Sequence, residues 1–339
     1  MLLRKSPSSR STLSRARRRA LGALAVALVA AWAGPAGAEE RYPSKPIHLV
    51  VGFPPGGSND IVARVVAPAL GEILGVSVVV ENRAGANATI GTEYTARAAP
   101  DGYTITLGSA SPLAISPHTY PRLPYDPLKD LAGITTVAAT PEVLAINPGV
   151  PARTLPELVA LAKTRDITLA SAGNGGLPHL AIELLKSESG GRIVHIPYKG
   201  GGPGMTDAVG GHVDGIIMDL PVLHSMITQG KLRAIAVTND HRAAMLPDVP
   251  TSAEGGLPSV LALNWFAVMA PAGTPKPIID TLHAALVKAV NVPEVKARLG
   301  QLGIEPFTQS SPEAFDAFMR AESVRWGAVA KASGATADN

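Results

Sequence analysis

The sequence predicts an α/β fold of two lobes joined by two crossover strands, closed by a mostly helical C-terminal segment. Three observations predict it. Strand-like, loop and helix-like stretches alternate over residues 47–111, which is the signature of right-handed βαβ units and a largely parallel sheet. The alternation restarts after the proline-rich stretch Pro112 to Pro127. Two strand-like segments, Val143 to Ile146 and Leu263 to Ala270, stand where the chain would cross between lobes. A length of 339 residues fits two domains. With 46% hydrophobic and 17% charged residues, 34 Gly and 30 Pro, the chain is globular and rich in turns.

In order, Ile47 to Gly52 reads as a buried strand and Phe53 to Gly57 as a turn. Ser58 is the expected N-cap of a helix that runs to Leu74 and stops at Gly75. Val76 to Glu81 is a second strand, Ile90 to Ala99 has helical composition, and Thr104 to Leu107 is a third strand. Thr154 and Glu157 form a capping box for a helix ending at Thr164. Strand Ile167 to Ser171, helix Pro178 to Ser189, strand Ile193 to Ile196, loop Pro197 to Gly204 and helix Met205 to Val209 follow. Strand Val213 to Met218 leads through Asp219 to a helix at Leu220 to Gln229, and Leu232 to Val237 is a further strand. Helices after Pro275, at Pro293 to Leu302 and at Pro312 to Ala332 complete the chain. The expected parts are an export signal over 1–38, lobe 1 over 39–143, lobe 2 over 144–262, and a helical return to lobe 1 over 263–339.

The basic stretch Arg4 to Arg19, the apolar run Leu21 to Trp32 and Ala36-Gly37-Ala38 follow the order of an export signal. The apolar run is too short to span a bilayer. Arg18-Arg19-Ala20-Leu21 resembles a twin-arginine signal except that Arg17 replaces the usual Ser or Thr, so Sec and Tat export both remain open. The segment holds seven of the 30 basic residues and no acid, so the whole chain's charge of +3 becomes −4 in the mature protein. A mildly acidic protein without a basic cluster is not a candidate for nucleic-acid binding. The absence of Cys excludes disulfides, thiolate catalysis and zinc-thiolate sites.

No serine meets the G-x-S-x-G pattern, Lys199-Gly200-Gly201-Gly202 lacks the end of a Walker loop, and the eight His residues show no local metal spacing. No cofactor or metal is expected. What remains is a recurring design, in which a strand end runs into small Gly, Ser or Asn residues and usually a helix start. It occurs at Phe53 to Asp60, Gly85 to Thr89, Gly108 to Ser111 and Ser171 to Gly176. Helix N-termini carry unpaired N–H groups and partial positive charge, so such loops facing one cleft suit a carboxylate or phosphate. For any one loop, ordinary turn chemistry is the better account of the composition, and only the set of four points to an anion site.

Tyr42-Pro43-Ser44-Lys45-Pro46, Phe53-Pro54-Pro55-Gly56-Gly57-Ser58-Asn59-Asp60, Ala99-Pro100-Asp101-Gly102-Tyr103 and Leu123-Pro124-Tyr125-Asp126-Pro127 resemble the Bug family. Those proteins are the extracytoplasmic solute receptors of tripartite tricarboxylate transporters. Ala170-Ser171-Ala172-Gly173-Asn174-Gly175, Pro197-Tyr198-Lys199-Gly200, Leu246-Pro247-Asp248-Val249-Pro250-Thr251 and Ala270-Pro271-Ala272-Gly273-Thr274-Pro275 continue the resemblance in order. It implies a type II-like Venus-flytrap fold, as in periplasmic binding proteins. The implied protein is a periplasmic monomer that closes on a small carboxylate and delivers it to membrane permease subunits. It also implies that Phe53, Gly57, Ser58, Asn59, Asp60, Asn87 and Ala88 hold the ligand's carboxylate through amides, hydroxyls and waters. Ser109 and Ser111 belong to the third loop, and Ser171, Gly173, Asn174, Gly175, Tyr198, Lys199 and Asp219 fall on the opposite wall. Asn59 stands where the family often has Thr. Gly176-Leu177-Pro178 replaces hydroxyl residues and is expected to make the distal pocket less polar. Asp219 admits two roles, an acceptor for a ligand amino group or an N-cap. A sensor docking on a membrane partner and an enzyme using Asp60 or Asp219 as base are the alternatives.

Overall fold

The structure, a computed structural model, describes residues 42–337. The expected export signal lies outside the described residues. From Lys45 onward the chain forms one compact unit, and Tyr42 to Ser44 belong to a separate N-terminal one.

The first half alternates as expected: β1 (Ile47–Val51), α1 (Ser58–Leu74), β2 (Val78–Asn82), α2 (Thr89–Ala96) and β3 (Thr104–Ser109). Gly57, not Ser58, is the N-cap of α1, because Ser58 already sits in the helix and its hydroxyl caps nothing. Gly75 ends α1 in the left-handed conformation, at φ 72°, which costs glycine no Cβ clash. A π-helical turn (Ser111–Ile115) and α3 (Ser116–Thr119) occupy the start of the proline-rich stretch. The second half holds α4 (Leu155–Thr164), β5 (Ile167–Ser171), α5 (Leu177–Ser189), β6 (Ile193–Pro197), α6 (Gly201–Gly210), β7 (Gly215–Asp219), α7 (Leu220–Thr228) and β8 (Arg233–Val237). Thr154 caps α4 by accepting the Glu157 N–H at 3.3 Å, while Glu157 reaches back to the Arg153 N–H at 2.6 Å. Helix α6 begins four residues before the expected start. Pro203 lies in its first turn, where a missing N–H costs no helical bond.

The chain then returns through β9 (Leu263–Pro271), α8 (Lys276–Val290), α9 (Pro293–Gly300), β10 (Glu305–Pro306) and α10 (Pro312–Ser333). The strand order is β2-β1-β3-β9-β4-β7-β5-β6, with β8 and β10 also paired to β4 (Leu131–Ile146). The sheet is parallel only within β2-β1-β3 and β6-β5-β7; β3 with β9 and every pairing of β4 are antiparallel. This corrects the largely parallel sheet expected from the sequence. Parallel neighbours need a helical crossover inside one half, and β4 and β9 carry the chain between halves instead.

The first crossing strand is also far longer than Val143 to Ile146, because β4 begins at Leu131. Its first ten residues are mostly Ala, Gly and Thr, whose weak hydropathy contrast hides a strand buried almost throughout. On β4 the partner changes from β9 to β7 between Pro141, opposite Leu263, and Glu142, opposite Asp219. Strands β1 and β3 run in the direction of β4, whereas β5, β6 and β7 run against it. The C-terminal ends of the two sets therefore face each other near Glu142.

One core cluster runs beneath both halves, from Ala110 and Leu113 through Leu169 and Leu180 to Trp265, Phe315 and Trp326. Helix α10 packs against β4 and α5. There Glu322 Oε2 accepts the indole N–H groups of Trp265 at 2.8 Å and Trp326 at 3.1 Å. Two buried indole donors thus find one acceptor, which avoids the cost of leaving them unpaired.

Candidate functional site

Loops leaving the C-terminal ends of β1, β2, β3, β5, β6 and β7 lie around the pairing switch on β4. Open α/β sheets present ligand crevices at such strand ends. In the first loop, Phe53 and Gly57 are half-buried and Ser58, Asn59 and Asp60 are buried. Asp60 braces the loop by accepting the Gly56 N–H at 3.0 Å, Asn82 Nδ2 at 2.9 Å and Arg64 Nε at 2.9 Å on both oxygens. Burial raises its pKa, but Arg64, Gly56 and Asn82 together outweigh that and hold it below the usual carboxylate value. Ser58 Oγ and Asn59 Nδ2 have no hydrogen-bond partner within 3.5 Å. They open α1, whose first N–H groups are free by the geometry of a helix.

The second loop holds three consecutive non-glycine residues in the left-handed region: Ala86 at φ 46°, Asn87 at 51° and Ala88 at 70°. Each costs about 1–2 kcal/mol, strain that is commonly stored at ligand clamps. Asn87 Nδ2 is buried without a partner. A Cβ at Gly52 would sit 2.5 Å from that of Ala88, so glycine there lets the first two loops touch.

Ser109 ends β3 fully buried, and Ser111 Oγ accepts the Leu177 N–H at 3.0 Å, which joins the two halves. The fourth loop meets both of its neighbours at Gly176, where a Cβ would lie 3.1 Å from Asn87 Nδ2 and 3.4 Å from Ser111 Oγ. Leu177 is fully buried in the core, so it adds no apolar wall to the crevice as its sequence position suggested. Gly173 and Asn174 are half-buried and Gly175 is buried. The Gly175 N–H donates to His179 Nδ1 at 2.9 Å, and Thr119 Oγ1 donates to the Gly175 carbonyl at 3.0 Å.

Folding also brings together a pair that local spacing cannot reveal. Ser171 Oγ and His195 Nε2 share a 2.6 Å hydrogen bond, and His195 stacks on His179 with centroids 3.8 Å apart. Burial first, then His179 and Lys186, push the His195 pKa down to about 3, so its ring is neutral. Ser171 Oγ also bonds both backbone groups of Gly173, which makes the cluster a brace for the loop. Tyr198 turns its hydroxyl away to Asp207 Oδ2 at 2.7 Å, a bond that lifts its pKa to about 12, and its ring packs on the second-half core. Lys199 is exposed.

Asp219 occupies the N-cap position of α7, yet its carboxylate caps nothing. It is buried and accepts both bonds from Asn264 Nδ2, at 2.9 and 3.0 Å. Burial raises its pKa; Ser58, Glu142 and Asn264 moderate the rise, although neither Ser58 nor Glu142 closes to a formed bond. Beside it, Glu142 is wholly buried and neither carboxyl oxygen has a partner. Burial and then the charge of Asp219 push Glu142 well above the usual value. Sequence reasoning missed Glu142. Its one signal was an acid inside the otherwise uncharged run Val137 to Ile146.

A wide-mouthed cavity of about 780 Å3 lies on the outer side of α1, along the edge of β2, and shares only Arg64 with the site residues described above. It is an open surface groove away from the strand ends. No helix among the described residues is long and apolar enough to cross a membrane, and none of their acids and histidines cluster as a metal site.

The sequence profile of the tripartite tricarboxylate transporter family receptors matches residues 62–335. The chain belongs to that receptor family. Protein BugT of Bordetella pertussis is 41% identical over 299 residues, covering 87% of this receptor and 91% of BugT. The structure of periplasmic binding protein BugD is 37% identical, with a TM-score of 0.79 over 87% of this chain and 99% of BugD. R. palustris Rpa4515, solved with adipate, is 32% identical and gives a TM-score of 0.82 over 87% and 99% of the two chains. The receptor therefore has the two-lobed periplasmic-binding-protein fold.

Proposed function

We propose that the protein captures a small carboxylate between its two lobes and delivers it to the permease subunits of a tripartite tricarboxylate-type transporter, without chemical conversion. One observation carries this reading: buried, unpartnered donors stand at the starts of α1 and α2, namely Ser58 Oγ, Asn59 Nδ2 and Asn87 Nδ2, with no Lys or Arg among them. Hydrogen bonds to a charged oxygen contribute about 1.5–3 kcal/mol each, so several donors suffice to hold a carboxylate. Adipate in R. palustris Rpa4515 supports the same ligand class. The lobes extend over 39–143 with 263–339, and over 144–262. Export through residues 1–38 brings the mature monomer to the periplasm.

Native mass spectrometry of protein purified from periplasm, followed by thermal-shift titration with dicarboxylates, amino acids, aromatic acids and their amides, tests the reading. The acids are expected to raise Tm and the matching amides are not. Equal stabilisation by amides overturns carboxylate capture, and turnover of the bound compound overturns the receptor role.

A further inference from the structure

The unpartnered polar atoms around the strand ends divide into two groups. Donors gather at the starts of α1 and α2, as described. Acceptors gather at the pairing switch: Glu142 Oε1 and Oε2, and Asn264 Oδ1. The amide orientation of Asn264 is fixed because its Nδ2 faces both oxygens of Asp219. Glu142 and Asp219 are directly opposite on β4 and β7, and Asn264 faces Thr140, two residues from Glu142 on β4. In-register neighbours share a sheet face, so all three side chains project to one side. Among the described residues neither carboxyl forms an ion pair with Lys, Arg or His. A buried acceptor without a donor costs free energy, and a fully buried carboxyl more so. An ammonium group supplies three donors and one positive charge, which matches three orphaned acceptors beside two acids.

We propose that Glu142, Asp219 and Asn264 form a cation-binding pole beside the donor-lined carboxylate pole, so that the receptor selects a zwitterion, a carboxylate that also carries an ammonium group. This rests on the carboxylate reading above and narrows it. The lobes part to admit the ligand, and the amino group replaces the proton that two adjacent buried acids otherwise retain. A plain dicarboxylate places no donor there and leaves the acid pair uncompensated.

Calorimetric titration at pH 7 with matched pairs tests this: glutamate and glutarate, aspartate and succinate, phenylalanine and 3-phenylpropionate. In the pair whose length fits, the amino compound is expected to bind at least about tenfold tighter, the scale of one charge-assisted contact. In E142Q and in D219N that ratio is expected to fall at least about fivefold, again the scale of a single buried contact. The wild-type comparison stands even if one variant does not fold. Binding of the plain acids with no amino preference in any pair overturns the inference and leaves the carboxylate reading intact. Tighter binding of a plain acid with proton uptake makes Glu142 a protonated donor to a carboxylate and also overturns it. No binding by any of the three amino compounds, with an acid of the wider thermal-shift panel bound, overturns the inference and leaves the carboxylate reading intact.

Discussion

Glu142 shows how one side chain can be both a liability and a selector. With Asp219 it occupies a site that no solvent reaches, and both acids titrate above their ordinary range. Acids whose folded values are raised contribute stability that is fully present below the ordinary carboxyl value and is lost as pH rises through the raised value. Asp60 and Asp214 are shifted the other way, so they are already ionised at pH 5 and add no slope above it. His195, held neutral, adds stability as pH rises through the ordinary histidine value. The acid pair is therefore read from the difference between two proteins: Tm of the ligand-free wild type is expected to fall relative to that of E142Q between pH 5 and pH 8. At this chain length about 1 kcal/mol corresponds to roughly 2–4 °C or less, within reach of scanning calorimetry. Parallel Tm profiles for the two proteins would remove the acid pair as the cause.

Among the elements, the loops depend on missing Cβ atoms as much as on hydrogen bonds. Gly52 has ordinary backbone geometry but no room, because its Cβ would meet Ala88 at 2.5 Å. Gly56 has room but a left-handed backbone, at φ 84°. Gly52→Ala is expected to cost about 1–3 kcal/mol by overpacking and to weaken ligand binding by forcing the first two loops apart. Gly56→Ala is expected to cost only about 1–2 kcal/mol of backbone strain. Urea denaturation with a binding isotherm on each variant separates these cases, and unchanged affinity in Gly52→Ala would show that the loops need not touch. The positions of these loops were legible in the sequence, since Gly and Ser after a β-branched run signal a strand end. Their mutual contacts were not, because a turn's composition is the same whatever packs on it. Residues 131–140 were illegible for a related reason. A strand buried on both faces shows no alternation, and Ala, Gly and Thr give it no apolar peak.

At the scale of the molecule, the Leu177 N–H to Ser111 Oγ bond and the meeting of three loops at Gly176 join the halves at the strand ends, above a core cluster that runs beneath both. Ser111→Ala removes one bridging bond, about 1 kcal/mol, and is expected to weaken ligand affinity about fivefold and to lower Tm of the free protein by about 2–4 °C. Small-angle scattering with and without saturating ligand is expected to show a more expanded free form in the variant. Identical profiles in variant and wild type would deny the bond any part in closure.

The sequence by itself determined the alternation of strands and helices, the glycine-bearing loops and the gathering of seven of the 30 basic residues in the first 38 positions. These properties are local or additive, so they survive being read one residue after another. Only the tertiary structure decided that the central strands run antiparallel, that Ser171 meets His195, and that Glu142 lies opposite Asp219 with no Lys, Arg or His paired to either among the described residues. Strand pairing and burial are set by the packing of the whole chain, and a carboxylate's chemistry is fixed by what surrounds it.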